Sequence, residues 1–311
     1  MKKKTNLKYL LRKQLKKKFK VIKKKINTKK KKKIKTNQKK KKKPTKQKMN
    51  TFQHIRSATA KVTFAGLTFL VDPLLAPKDA YPGFKEAKYD ADIRNPMLDL
   101  PFPIEKVLEG IDAVIVTHTH LDHWDDIAVE KIPKEIPIFT QHAADAKLIR
   151  SKGFKDVRVT GTKTPFKNIF ISKTAGEHGS EEILSNPFIA EISDESMGFV
   201  LRSNDSKSVI YFAGDTIWNG YVEVSIKKYN PDYIVLNTGY AELKGFEGSL
   251  IMGKDDVVTC CNFAPNSKII CVHMDAINHC SLKRKMLREF VKEKKLEEKV
   301  FIPDDGECIK F

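Results

Sequence analysis

A short β-branched run typical of a buried strand, IDAVIVTH (111–118), ends in His118-Thr119-His120-Leu121-Asp122-His123. Imidazoles two residues apart in an extended turn can reach one cation. The carboxylate and imidazole that follow can reach a second, about 3.5–4 Å away. Three more apolar runs deliver the same chemistry at their trailing edges: His178 follows NIFISKT (168–174), Asp215 ends SVIYFAGD (208–215) and His273 lies near the end of KIICVHMD (268–275). Taken alone, His178 or His273 reads as a satisfied structural histidine and Asp215 as a turn residue. Their shared position after apolar strands points to convergence, because layered α/β folds gather ligand sites beyond one end of their strands.

ATAKVTF (58–64), LTFLVDP (67–73) and DYIVLNTG (232–239) also read as strands. LLAPKDAYPGFKEAKYDADIRNPMLDLPFP (74–103) is Pro-rich and aperiodic, the mark of a lid or binding loop. In 281–295, Leu282, Met286, Leu287, Phe290 and Val291 predict one buried helix face, with Ser281 as the N-cap. Strands alternating with helices give an α/β class with sheets covered by helices.

Charge divides the chain. Residues 1–48 hold 26 of the 59 Lys and Arg and no Asp or Glu, which leaves 33 basic against 38 acidic residues over 49–311. The net charge of +21 therefore belongs to the first segment, which excludes a basic nucleic-acid-binding body. The Lys runs at 29–33 and 39–43 are expected to be disordered. Leu7, Leu11, Leu15, Phe19, Ile22 and Ile26 recur at helical spacing on a cationic background, the pattern of an amphipathic helix on an anionic membrane or RNA. A Lys-rich organellar presequence is the alternative, and a solvated tail with no part in the chemistry is the plainest reading. No stretch approaches the ~18–20 apolar residues of a membrane span, and no secretory signal is evident. Five cysteines, an odd number without CxxC spacing, suit a reduced intracellular protein, so a cytoplasmic location is expected.

THTHLDH (117–123) resembles the HxHxDH signature of the metallo-β-lactamase fold superfamily. GEHG, AGDT and VHMD match its later motifs in order, and LVDP (70–73) its early strand ending in a supporting Asp, here Asp72. The likeness covers 53–311 and is nearest the branch of ascorbate-6-phosphate lactonase-like metal-dependent hydrolases. It implies a four-layered αββα sandwich formed by residues 49–311, and a dinuclear site. The first metal would be held by His118, His120 and His178, the second by Asp122, His123 and His273, and Asp215 would bridge them. His279, six residues beyond His273, is an alternative ligand or a group supporting the site from behind. The donors are nitrogen and oxygen, which suits two divalent ions of Zn, Mn or Fe.

Such a site implies a hydrolase in which hydroxide bridging the cations attacks a carbonyl or phosphoryl centre, with Asp122 orienting it and handling its proton. A small-molecule lactone or ester, phosphorylated or not, is the expected substrate; a phosphodiesterase or nuclease is the alternative. A redox role is opposed by His120, where diiron flavoprotein relatives carry Glu. Trp124, Trp218 and Tyr240 are expected at the mouth, and Arg94 beside an anionic substrate group. Nucleic acid or an anionic membrane would be met only through residues 1–48, and self-association into a homo-oligomer stays open.

Overall fold

The computed structural model describes residues 49–193 and 195–311. Within them β1 (Thr51–Arg56), β2 (Thr59–Phe64) and β3 (Leu67–Val71) run antiparallel. The chain continues through α1 (Ile104–Leu108), β4 (Ala113–Val116), α2 (Asp126–Lys131), β5 (Ile138–Thr140), α3 (Ala143–Ser151) and β6 (Val157–Val159), with β3 to β6 parallel. Next come β7 (Thr164–Phe166), β8 (Ile169–Thr174), α4 (Glu181–Leu184), α5 (Pro187–Ser193), β9 (Gly198–Ser203) and β10 (Ile210–Phe212). The last part holds α6 (Gly220–Tyr229), β11 (Tyr233–Asn237), α7 (Lys254–Phe263), β12 (Lys268–Val272), α8 (Arg284–Glu293), β13 (Val300–Phe301) and β14 (Cys308–Lys310).

These strands form two seven-stranded sheets, ordered β14-β1-β2-β3-β4-β5-β6 and β13-β12-β11-β10-β9-β8-β7. The period-two alternation of each strand sorts its side chains between layers. Ile115 points between the sheets, where it joins Phe52, Phe139, Phe199 and Phe212, while its neighbours Val114 and Val116 pack beneath α2 and α3. In the other sheet Val235 points inward, and Ile234 and Leu236 meet the layer of α6, α7 and α8. Phe199 stacks on Phe212 with ring centroids 4.5 Å apart, a contact worth roughly 1 kcal/mol beyond its buried area. The result is the αββα sandwich that the resemblance implies.

Direction decides where the loops gather. β10, β11 and β12 are parallel, and β8 is antiparallel to β9, which is antiparallel to β10, so the trailing ends of β8, β10 and β12 leave the sheet on one edge.

The helix predicted over 281–295 begins instead at Arg284. The Ser281 hydroxyl donates to the Tyr240 carbonyl rather than capping a helix, and Asp275 Oδ1 accepts the Arg284 N–H. Met286, expected on the buried face, is exposed, while Leu287 and Val291 are buried. The loop at 74–103 has no regular element before α1, as expected. The striped and Lys-rich tail falls outside the described residues. Among those residues no helix is long and apolar enough to cross a membrane.

Candidate metal centre

Each strand end contributes one turn. β3 ends at Asp72, held at φ 44°, and β12 at His273, held at φ 65° with its N–H on the Ser57 carbonyl. Left-handed backbone at residues other than glycine is costly and is maintained here by the surrounding packing. After β10, Gly214 takes φ 73°, and a Cβ there would lie 2.5 Å from the Met197 carbonyl oxygen, so only glycine turns the chain to deliver Asp215.

His118, His120 and His178 form one group of converging donors; Asp122, His123 and His273 form another, and Asp215 joins His118 and His123. His118 Nε2 lies 2.9 Å from His120 Nδ1, and His123 Nε2 lies 3.0 Å from His273 Nε2. Asp122 Oδ2 is 3.3 Å from His273 Nε2 and 3.8 Å from His123 Nε2. Asp215 Oδ2 stands between the groups, 3.1 Å from His123 Nε2, 3.6 Å from the Nε2 atoms of His178 and His273, and 4.0 Å from that of His118. Ligands about 2.0–2.1 Å from a tetrahedral cation are about 3.3 Å from one another, so these separations fit two cations sharing Asp215.

Other polar groups aim the donors. Asp72 Oδ2 is 3.0 Å from His123 Nδ1 and also accepts the Thr117 hydroxyl, which lies 3.0 Å from His118 Nδ1. His178 Nδ1 donates to the Ser193 carbonyl at 2.6 Å, and Asn237 Nδ2 donates to Asp215 Oδ1 at 2.5 Å. Cys280 Sγ lies 3.4 Å from His273 Nδ1, leaving Nε2 to face the site. Such partners fix tautomer and ring orientation.

Electrostatics separates the two groups. Burial lowers His178 to about 4, and burial, reinforced by His123 and His120, lowers His118 as well. Both are neutral at pH 7 and offer a lone pair. Burial opposes the charged form of His123 too, but Asp215, Asp122 and Asp72 overcome it and raise it to about 10. His273 is raised likewise against burial, chiefly by Asp215. Burial works against the Asp215 and Asp122 carboxylates, yet the facing histidines hold both well below the usual carboxylate range.

The site opens into a cavity of about 410 Å³. His120, Asp122, His178, Asp215 and His279 form its polar floor, and its remaining walls are largely apolar. His279 Nε2 is 4.0 Å from Asp122 Oδ2, outside the two donor groups.

The expected substrate contacts lie elsewhere. Trp124 is buried against Phe154 under the helices, because His123 and Trp124 both donate their N–H to the His120 carbonyl in a tight turn that splays their side chains apart. Trp218 packs on Phe263 and donates to Glu223. Tyr240 lines a second hollow with Lys254 and Lys283, and Arg94 donates to the carbonyls of Asp79 and Ala80. Asn237 was legible as a polar residue at a strand's trailing edge; Thr117, Ser193, Cys280, Phe84, Leu250 and Ile277 carried no comparable signal.

Two mixed sheets between helical layers, with His and Asp donors at one edge, define a metallo-β-lactamase-type protein. The chain belongs to the β-lactamase superfamily domain family, which matches residues 68–274, and within it to the UPF0173 proteins. It is 44% identical over 263 residues to UPF0173 protein YddR of Bacillus subtilis, covering 85% of this chain and 100% of that one. A possible metal-dependent hydrolase from Veillonella parvula shares 45% identity at a TM-score of 0.83, over 85% of this chain and 100% of that one. An isothiocyanate hydrolase from Delia radicum gut bacteria shares 42% identity at a TM-score of 0.80, over 84% and 99%.

Proposed function

We propose that the chain is a metal-dependent hydrolase of small, uncharged electrophiles that carry an apolar tail. The observation that carries this reading is a floor of converging His and Asp donors beneath a chamber whose lining, among the described residues, includes no Lys or Arg. The name of the Veillonella relative supports the reaction class.

Divalent cations in the two donor groups would acidify water and polarise the electrophile. The chain's own part is to place the reactants. Asp122, on the cavity floor, orients the attacking water and takes its proton. Asn237 holds Asp215, and the Asp72–Thr117 pair holds His118 and His123, so that the floor does not rearrange as charge develops. The apolar walls exclude bulk water and seat the tail.

Two neutral substrate classes suit this chamber. Isothiocyanates stand first, because the relative of that activity is 42% identical over nearly its whole length. Water adds to the central carbon to give a thiocarbamic acid, which breaks into the amine and carbonyl sulfide. Lactones and simple esters stand second; there water adds to the carbonyl and the alcohol leaves. A phosphate away from the reacting centre, on a phosphorylated lactone or flanking the cut in a nucleic acid, would meet no Lys or Arg among the described lining residues, which opposes both.

A panel on the metal-loaded full chain tests this: phenethyl isothiocyanate, γ-butyrolactone, a sugar-phosphate lactone and bis-p-nitrophenyl phosphate. Turnover of the first or second is expected. Cleavage of the phosphodiester alone would overturn the reading.

A further inference from the structure

Residues 79–97 form no regular element, yet they are fastened on three sides. Tyr81 and Asn95 bridge one another, Lys88 N–H donates to the Glu242 carbonyl and Lys244 N–H to the Glu86 carbonyl, and Met97 N–H donates to the Ala276 carbonyl. Lys88 Nζ also meets Glu242 Oε1 at 2.9 Å.

The centre of this stitching is Asn278, which lies between His273 and His279 and is 2% exposed. Its Nδ2 donates to the carbonyls of Phe84, at 3.0 Å, and Asp90, at 3.1 Å. Its Oδ1 accepts from Phe84 N at 3.1 Å and from Asn95 Nδ2 at 2.8 Å, while its own N–H donates to Asn95 Oδ1 at 2.9 Å. One side-chain amide thus grips both backbone groups of Phe84 with its full donor and acceptor capacity. The grip needs close approach: a Cβ on Gly83 would overlap the Ile93 carbonyl oxygen and come within 3.0 Å of Asn278 Nδ2.

Held in this way, the Phe84 ring lines the cavity and stands edge-on to His279, with centroids 5.6 Å apart at 80°. Tyr81, Leu243, Leu250 and Ile277 complete that end of the chamber. The wall beside His279 therefore includes an aromatic ring fixed from the loop that also carries His273.

We infer that Phe84 determines the length and bulk of apolar tail that the chamber admits, and that Asn278 is the positioning residue that holds Phe84 there. This rests on the proposed hydrolysis of tailed neutral substrates for its turnover arm, but not for its binding arm.

The test uses the metal-loaded full chain, with Phe84→Ala, Asn278→Ala and the double variant. Turnover is measured on ethyl, butyl, hexyl and phenethyl isothiocyanates and on the matching p-nitrophenyl esters. Calorimetry with unreactive primary amides bearing the same tails gives the second readout. In the wild type, affinity should fall beyond a limiting tail. Phe84→Ala should raise the long-to-short ratio, in binding and in kcat/KM, by at least about tenfold, since a single methylene in a hydrophobic pocket is worth that much. Asn278→Ala should shift the ratio in the same direction, and the double variant should match Phe84→Ala alone, because Asn278 acts through Phe84.

Additive shifts in the double variant, with metal content retained, would overturn the role given to Asn278. Superimposable tail profiles for wild type and Phe84→Ala would overturn the role given to Phe84. Should Asn278→Ala not fold, Asn278→Asp, which loses the Nδ2 donors to the Phe84 and Asp90 carbonyls, replaces it. Absence of all turnover would sink the proposed function while the amide profiles still decide this inference.

Discussion

Asp72 Oδ2 lies 3.0 Å from His123 Nδ1, on the face of the ring away from the converging donors. The carboxylate sits at the end of one sheet strand and the imidazole in the turn after another, so their contact joins neighbouring strand ends behind the site. An Asp72→Asn substitution keeps the shape and weakens the hold. Metal affinity of the Asp122–His123–His273 group should fall by about 10–100-fold, and that of the His118–His120–His178 group by less, because Asp72 reaches His118 only through Thr117. Competition with a chromophoric chelator measures both.

The two groups should also differ in pH dependence. His178, lowered to about 4 by burial, and His118, lowered well below the usual imidazole range by burial, are neutral at pH 7. His123, raised to about 10, and His273, also raised, carry protons at pH 7 that a cation must displace. Affinity of the second group should therefore drop by about tenfold per pH unit for each proton displaced between pH 8 and 6, with the first group falling less steeply. Chelator competition across that range, with calorimetry in buffers of different ionisation enthalpy, should find more protons released by the second event than by the first. A parallel fall of both affinities would refute this assignment.

The inter-sheet core bears the fold. Phe199 is fully buried and stacked on Phe212, so Phe199→Ala should cost about 3–5 kcal/mol, read from urea unfolding. A cost below about 1 kcal/mol would mean that Phe199 and its cross-strand partner Phe212 do not carry the packing of their sheet against the other.

Charge on the substrate should be penalised. With no Lys or Arg among the described residues that line the cavity, a sugar-phosphate lactone should show kcat/KM at least about tenfold below that of its dephosphorylated counterpart. A preference for the phosphorylated form would contradict the neutral-substrate reading.

Local chemistry made part of this legible. THTHLDH is contiguous, and His178, Asp215 and His273 each follow an apolar run, so their convergence could be argued from chain direction before any coordinates. Strands of three residues, such as β5 and β6, are too short to display a period of two. β1 was obscured because it buries His54 and Arg56, and the Arg56 guanidinium is satisfied only by the carbonyls of Leu74, Ala76 and Leu98 from a distant loop. Trp124 is adjacent to His123 in sequence yet points to another layer, a consequence of turn geometry that sequence proximity does not reveal. The helix start at Arg284 was missed because the carboxylate that accepts its first N–H, Asp275, lies nine residues upstream.

The most direct measurement is the metal content of the full-length protein and of Asp215→Ala by elemental analysis, each paired with isothiocyanate and lactone hydrolysis. About two divalent ions per chain are expected in the wild type, and in the variant fewer than one, with hydrolysis reduced by on the order of a thousandfold or more. A variant that keeps its metal and its activity would contradict a shared site bridged by Asp215.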